Sequence, residues 1–164
     1  MKILQQEDDL RLRPARPDDV DLALPWYADP EVLYYSEAAT QPYSRELVGR
    51  MFDYFFANGV FYIIEAKEAS GDWRAIGDAA LLPDTVPIEI GVPEYRNRGL
   101  GRRVLGLLIA RARGLGWKKL KTSGIYTYNP RSRRAYEAAG FKLVRTGPDD
   151  EGIESWFHEL ELQG

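Results

Sequence analysis

The chain has 164 residues, 45% of them hydrophobic and 29% charged, which is enough for one soluble domain (residues 1–164) with a packed core. Cys is absent and His158 is the single histidine, so disulfides, thiolate nucleophiles, Cys-based metal sites and two-His metal motifs are excluded, and no metal is expected. The net charge of −3 hides a segregation: residues 1–95 carry 8 Lys/Arg against 18 Asp/Glu, residues 96–145 carry 14 Lys/Arg against Glu137 alone, and residues 146–164 carry six acidic residues and no basic one. So basic a segment within an acidic chain points to a polyanionic ligand, either nucleic acid or a phosphorylated cofactor. No apolar run approaches the roughly 18 residues of a membrane span. The N-terminal sequence turns acidic before an export region could form, so a cytoplasmic protein is expected.

In chain order, Leu10 to Ala15 reads as a first strand, followed by a helix from Asp18 as cap to about Ala28. Ser44 caps a clearer helix over 44–57, with Leu47, Val48, Met51, Phe52 and Phe55 as its apolar stripe and Asn58-Gly59 as its stop. Residues 60–67 and 74–82 are strand-like and joined by Ala69-Ser70-Gly71-Asp72, which makes a hairpin. A third hydrophobic strand covers 88–92. After a loop over 93–98, a helix runs from Leu100 to Leu115 and a strand from 119 to 128. A short helix follows over 131–139, then strands at 141–145 and 155–162. About seven strands and four helices, with hairpins first and strand-helix-strand units later, favour a mixed, mostly antiparallel sheet in an α+β domain.

The segment Arg96-Asn97-Arg98-Gly99-Leu100-Gly101 joins a strand to a helix, the arrangement of an anion site. First-turn N–H groups lack intrahelical partners, the helix dipole adds positive potential, and glycine lets a phosphate approach the backbone. A P-loop would need Gly-Lys-Ser/Thr, which is missing. A dinucleotide fingerprint would need a small residue where Val104 stands. What fits is the acetyltransferase pattern Gln/Arg-x-x-Gly-x-Gly/Ala, met by Arg96, Gly99 and Gly101.

A second segment is in register with the first. Residues 129–141 place Asn129, Ser132, Tyr136, Gly140 and Phe141 on the pattern Asn-x-x-Ser/Ala-x-x-x-Tyr-x-x-x-Gly-Phe. With both motifs, the chain resembles the GCN5-related N-acetyltransferase (GNAT) superfamily, weakly over 10–87 and strongly over 88–147. The opening, Leu12-Arg13-Pro14-Ala15 and the stretch from Trp26 to Val32, looks like the branch containing ribosomal-protein N-terminal acetyltransferases.

The resemblance implies a three-layer α/β/α fold whose sheet splays between 88–92 and 119–128, with acetyl-CoA in the gap. It implies direct acetyl transfer to a peptide N-terminus, polyamine, aminoglycoside or other small amine, by a monomer or homodimer. Backbone groups of Ile90 and Val92 would hold the pantetheine, and N–H groups from Arg98 through Leu100, Gly101 and Arg102 to Arg103 the pyrophosphate, with Arg96 and Ser132 at the same site. Asn129 would bond the cofactor arm, and Arg131 or Arg134 the 3′-phosphate. Tyr136 is the expected general acid toward the leaving thiol. Glu89, on the strand beside the thioester, leads as base ahead of Tyr126 and Ser123. The acidic, aromatic stretch with Tyr34, Tyr35 and Glu37 is expected, with Tyr126, to meet a cationic amine. The alternatives are a non-catalytic acyl-CoA sensor and a nucleic-acid binder. The latter is disfavoured because no aromatic residues alternate with the arginines as a stacking platform requires.

Overall fold

The computed structural model describes residues 5–162, so the N-terminal reading for residues 1–4 lies outside it. Nine strands form two sheets, and every pairing in them is antiparallel. The first sheet runs in the order β1 (Gln5–Gln6), β2 (Leu10–Pro14), β3 (Val60–Lys67), β4 (Trp73–Leu81), β5 (Ile88–Ile90). In the second, β9 (Glu154–Glu161) pairs with β8 (Lys142–Pro148) and also with β6 (Lys119–Lys121) and β7 (Ile125–Tyr126).

The helices are α1 (Asp19–Ala23), α2 (Pro30–Val32), α3 (Arg45–Asn58), α4 (Leu100–Gly114) and α5 (Pro130–Ala138). Neighbouring residues of β3 show how they layer. Phe61 meets Phe52, Phe55 and Phe56 of α3, while the Tyr62 hydroxyl accepts a hydrogen bond from Arg111 Nε of α4 at 3.1 Å. Side chains alternate across a strand, so α3 and α4 cover opposite faces and the layers are α/β/α. One buried cluster runs through both faces, from Leu10, Leu12 and Phe52 to Val104, Leu108 and Leu120.

Three local expectations change. The helix expected to reach Ala28 ends at Ala23, because Pro25 cannot continue it, and Trp26–Ala28 form a 3-10 turn instead. Its opening is fixed by Asp19 rather than by the Asp18 side chain. Asp19 accepts from the Arg16 N–H at 2.6 Å and from both terminal nitrogens of buried Arg13. The strand expected over 119–128 keeps its course along β9 but breaks at 122–124. There Gly124 adopts φ +142°, and a Cβ would lie 3.2 Å from Ser155 Cβ. Residues 30–37, with no helical period to read, form α2 and then a π-helical turn, Leu33–Glu37.

The splay is present. β5 pairs β4 on one side, and among the described residues no strand pairs its other side. Below the gap the sheets are tied where the Ser123 N–H donates to Thr85 Oγ1 at 3.1 Å. Above it, the Tyr128 hydroxyl donates to the Tyr34 carbonyl at 2.8 Å and Asn129 Nδ2 to the Tyr35 carbonyl at 3.3 Å. Among the described residues no helix is long and apolar enough to cross a membrane.

Candidate active site

The gap between β5 and α5 opens into a cleft of about 840 Å³, within the usual range for a ligand site. Its floor is the first turn of α4. Asp29, Ser44 and Asn129 cap α2, α3 and α5 with side-chain hydrogen bonds, but α4 begins on Gly99, which has no side chain to give. The first-turn N–H groups are thus left for a ligand, with the helix dipole behind them. Gly99 sits at φ +73°, where a side chain is strained, and a Cβ on Gly99 or Gly101 would meet no protein atom within 4 Å. Both glycines border empty space in the cleft.

The expected cofactor residues divide by position. Ile90, Arg96, Gly99, Leu100, Gly101, Arg102, Asn129, Arg131, Ser132, Arg134 and Tyr136 line the cleft together, joined there by Glu89, the expected base. Exposed Arg102, Arg131 and Arg134 form no ion pair among the described residues, so three guanidinium groups face its mouth unneutralised. Arg133 of the same helix turns to Glu137 and the Trp156 ring. Val92, Arg98 and Arg103 were expected to act through backbone groups, and their side chains turn away from the cleft: Val92 into the core, Arg98 over Tyr95, and Arg103 to Glu7 and Asp9.

Arg96 is a strut. Its guanidinium donates to the Ile90 and Gly91 carbonyls at 3.1 and 3.3 Å and pairs with Glu31 and Asp29 at 2.7 and 3.1 Å. It therefore ties the end of β5 to α2. Asn129 does similar work, since its Oδ1 accepts from the Ser132 N–H while its Nδ2 holds the π turn.

A second cavity, of about 150 Å³, adjoins the cleft and shares Tyr35, Ile88, Glu89, Asn129, Ser132 and Tyr136 with it. Of the expected acceptor residues, Tyr35, Glu37 and Tyr126 line it, as does Ser123, whereas Tyr34 is outside and half exposed. Tyr136 is 8% exposed, and its hydroxyl donates to the Val86 carbonyl, which fixes the oxygen where the two cavities meet. Burial, with the Glu89 charge, holds its pKa far above the usual phenol value, so it stays protonated and keeps a proton to donate.

Sequence reasoning missed Asp78. It lies in β4 directly opposite Glu89 of β5, is 2% exposed, and accepts from the Tyr27 hydroxyl at 2.8 Å. Burial pushes its pKa up to about 7 against the Tyr27 hydrogen bond, and the Glu37 charge adds to the rise. Desolvation also lifts Glu89 well above the ordinary carboxylate range. Asp78 and Glu37 push it further, while the Ser36 hydroxyl and Arg96 oppose the rise without cancelling it. Glu37 is raised by burial, against the hydrogen bond it accepts from Tyr43 at 3.0 Å. Asp78 had one readable sign: it is the only charge in the otherwise apolar run from Ala75 to Leu82.

Residues 9–142 match the family described as Acetyltransferase (GNAT) domain. A curated relative, the L-methionine sulfoximine/L-methionine sulfone acetyltransferase of Salmonella typhimurium, is 28% identical over 134 residues, 81% of this chain. The chain spans 66% of that relative's length. Among solved structures, a domain from Methanocaldococcus jannaschii is 22% identical with a TM-score of 0.78, covering 94% of this chain and 99% of that one. The spermidine N-acetyltransferase of Vibrio cholerae, in complex with CoA and spermine, is 16% identical with a TM-score of 0.75, covering 95% of this chain and 97% of that one. With the family match spanning both sequence motifs and the splayed sheet, this chain belongs to the GNAT acetyltransferase domain family.

Proposed function

We propose that the protein is an acetyl-CoA-dependent N-acetyltransferase for a small primary amine. The observation that carries this reading is the junction of the two cavities. A cleft with unpaired arginines and an uncapped helix start meets an acidic, aromatic cavity at a carboxyl and a phenol, Glu89 and Tyr136. The names of the relatives support it: one is an acetyltransferase of L-methionine sulfoximine, and another was solved with CoA and spermine.

The arginines and the α4 N–H groups would hold the phosphates of acetyl-CoA. That donor supplies a thioester: a C–N bond forms to its carbonyl carbon and the C–S bond breaks. Each ammonium consumed yields an amide, a thiol and one released proton. An alkylamine of pKa near 10.4 needs about 4 to 5 kcal/mol to expose its lone pair at pH 7. Glu89, with its raised pKa, is the base that takes this proton, directly or through water. Tyr136 needs only a rotation of its O–H away from Val86 to donate to the departing sulfur. Asn129 and Arg96 keep the two walls in place.

Acetyl-CoA should raise the Tm of the purified protein, and an amine panel should reveal thiol release with acetylated product by mass spectrometry. Tyr136→Phe should lower kcat by about 10²-fold while the acetyl-CoA thermal shift is retained. No thermal shift in the wild type, together with no thiol release from any amine, would refute the reading.

A further inference from the structure

The charge inside the smaller cavity defines its occupant more narrowly than "an amine". Elsewhere this protein neutralises buried acids with arginine: Asp19 pairs with Arg13, and Glu65 with Arg11 and Arg13. Among the described residues, Glu37, Asp78 and Glu89 have no such ion-pair partner, and no Lys, Arg or His lines the cavity. Two carboxyl groups placed directly opposite on neighbouring strands destabilise a sheet once both ionise, yet Asp78 and Glu89 stand in that register. The Tyr27 hydroxyl donates to Asp78 Oδ2.

The remaining lining is aromatic. Tyr27, Tyr35, Phe55, Tyr126 and Tyr136 surround the acids, and an aromatic face attracts an ammonium as a carboxylate does. A metal ion does not fit, since among the described residues no three His, Asp or Glu side chains converge closely enough to hold one. A cavity of about 150 Å³ takes a molecule of about six heavy atoms.

Resting on the transferase reading above, we propose that the acceptor is a short aliphatic diamine without a carboxylate. Its reacting nitrogen lies at Glu89 and Tyr136, and its second ammonium is held by Asp78 and Glu37. A monoamine that has given up its proton leaves the acids uncompensated, whereas the second ammonium of a diamine keeps a charge beside them. An amino acid of the same length brings a carboxylate into a cavity that has no cation to receive it. Asp78 therefore selects the acceptor, apart from the bond-forming atoms.

The test uses the full chain saturated with acetyl-CoA and three probes: 1,4-diaminobutane, butylamine and ornithine, which is the same diamine bearing a carboxylate. The expected result is a kcat/KM for 1,4-diaminobutane about tenfold or more above either of the others. Asp78→Asn should raise KM for the diamine by about tenfold and change the butylamine rate far less, with the acetyl-CoA thermal shift intact. Glu37→Gln, on the more exposed side, gives the same comparison should Asp78→Asn fail to fold. Equal or better turnover of ornithine or butylamine would overturn the proposal, as would an equal loss on all three probes. Binding separates it from the transferase reading. In the CoA complex, a Tm rise with 1,4-diaminobutane but not ornithine supports the cavity assignment even if no amine is acetylated. Equal shifts from the two would sink it.

Discussion

Asp78 and Glu89 oppose each other across β4 and β5 with no cation between them, and their raised pKa values couple the site to folding. A carboxyl whose pKa is raised in the fold binds its proton more tightly there than in the unfolded chain. Its contribution is then lost as pH rises from its unfolded value, about 4, to its folded one, here about 7. Carboxylates with lowered pKa, such as Asp19 and Glu137, act in the opposite sense and only at lower pH. Chemical denaturation should therefore find the ligand-free protein less stable at pH 7.5 than at pH 5. Asp78→Asn should remove much of that difference, on the order of 2–4 kcal/mol. An unchanged pH slope in the variant would mean that Asp78 is ionised throughout. The same sign applies to turnover: with Glu89 as base, kcat/KM should rise with pH through neutrality as the carboxyl loses its proton.

At the scale of elements, α4 is defined as much by what its first turn lacks as by its apolar face. Gly101→Val places its Cβ where no protein atom lies within 4 Å, so circular dichroism and the ligand-free Tm should stay near wild type, within about 1 kcal/mol of stability. The acetyl-CoA thermal shift should vanish. A normal shift would move the phosphate site elsewhere. α3 and α4 were legible because each carries an apolar stripe long enough to show its period and a stop signal near its end. The π turn at Leu33–Glu37 was not, because one turn has no period, and its hold comes from Tyr128 and Asn129 some ninety residues later. The break after Lys121 had Gly124 as its single sign, inside residues that otherwise favour strands. The part of the site that repeats a family pattern could be read from the sequence. Asp78 could not, since its meaning lies in its register with Glu89.

Over the whole molecule, the segregation of charge along the chain is cancelled in space at a few points. Arg103 of the basic segment reaches Glu7 and Asp9, Arg96 reaches Asp29 and Glu31, and Lys119 reaches Glu159 and Glu161. What stays unpaired at the cleft is the group Arg102, Arg131 and Arg134. The polyanion anticipated from the charge count thus has a compact cationic rim to bind, far smaller than the basic segment as a whole. Acetyl-CoA affinity should fall as salt is raised from about 0.05 to 0.5 M, because exposed guanidinium groups are screened, and 3′-dephospho-CoA should fall less steeply. Titration calorimetry at several salt concentrations would show it; a salt-independent Kd would place the phosphates away from these arginines.

The unpaired side of β5 has one more consequence. A short hydrophobic strand whose backbone is open on one flank is a template on which another chain can zip, and proteins ordinarily blunt such edges with charge or cover. On the proposed function, the extended, amide-bearing arm of the donor would lie along that flank as a guest strand, and the pool of acetyl-CoA around the protein would guard it against self-association as well as supply its chemistry.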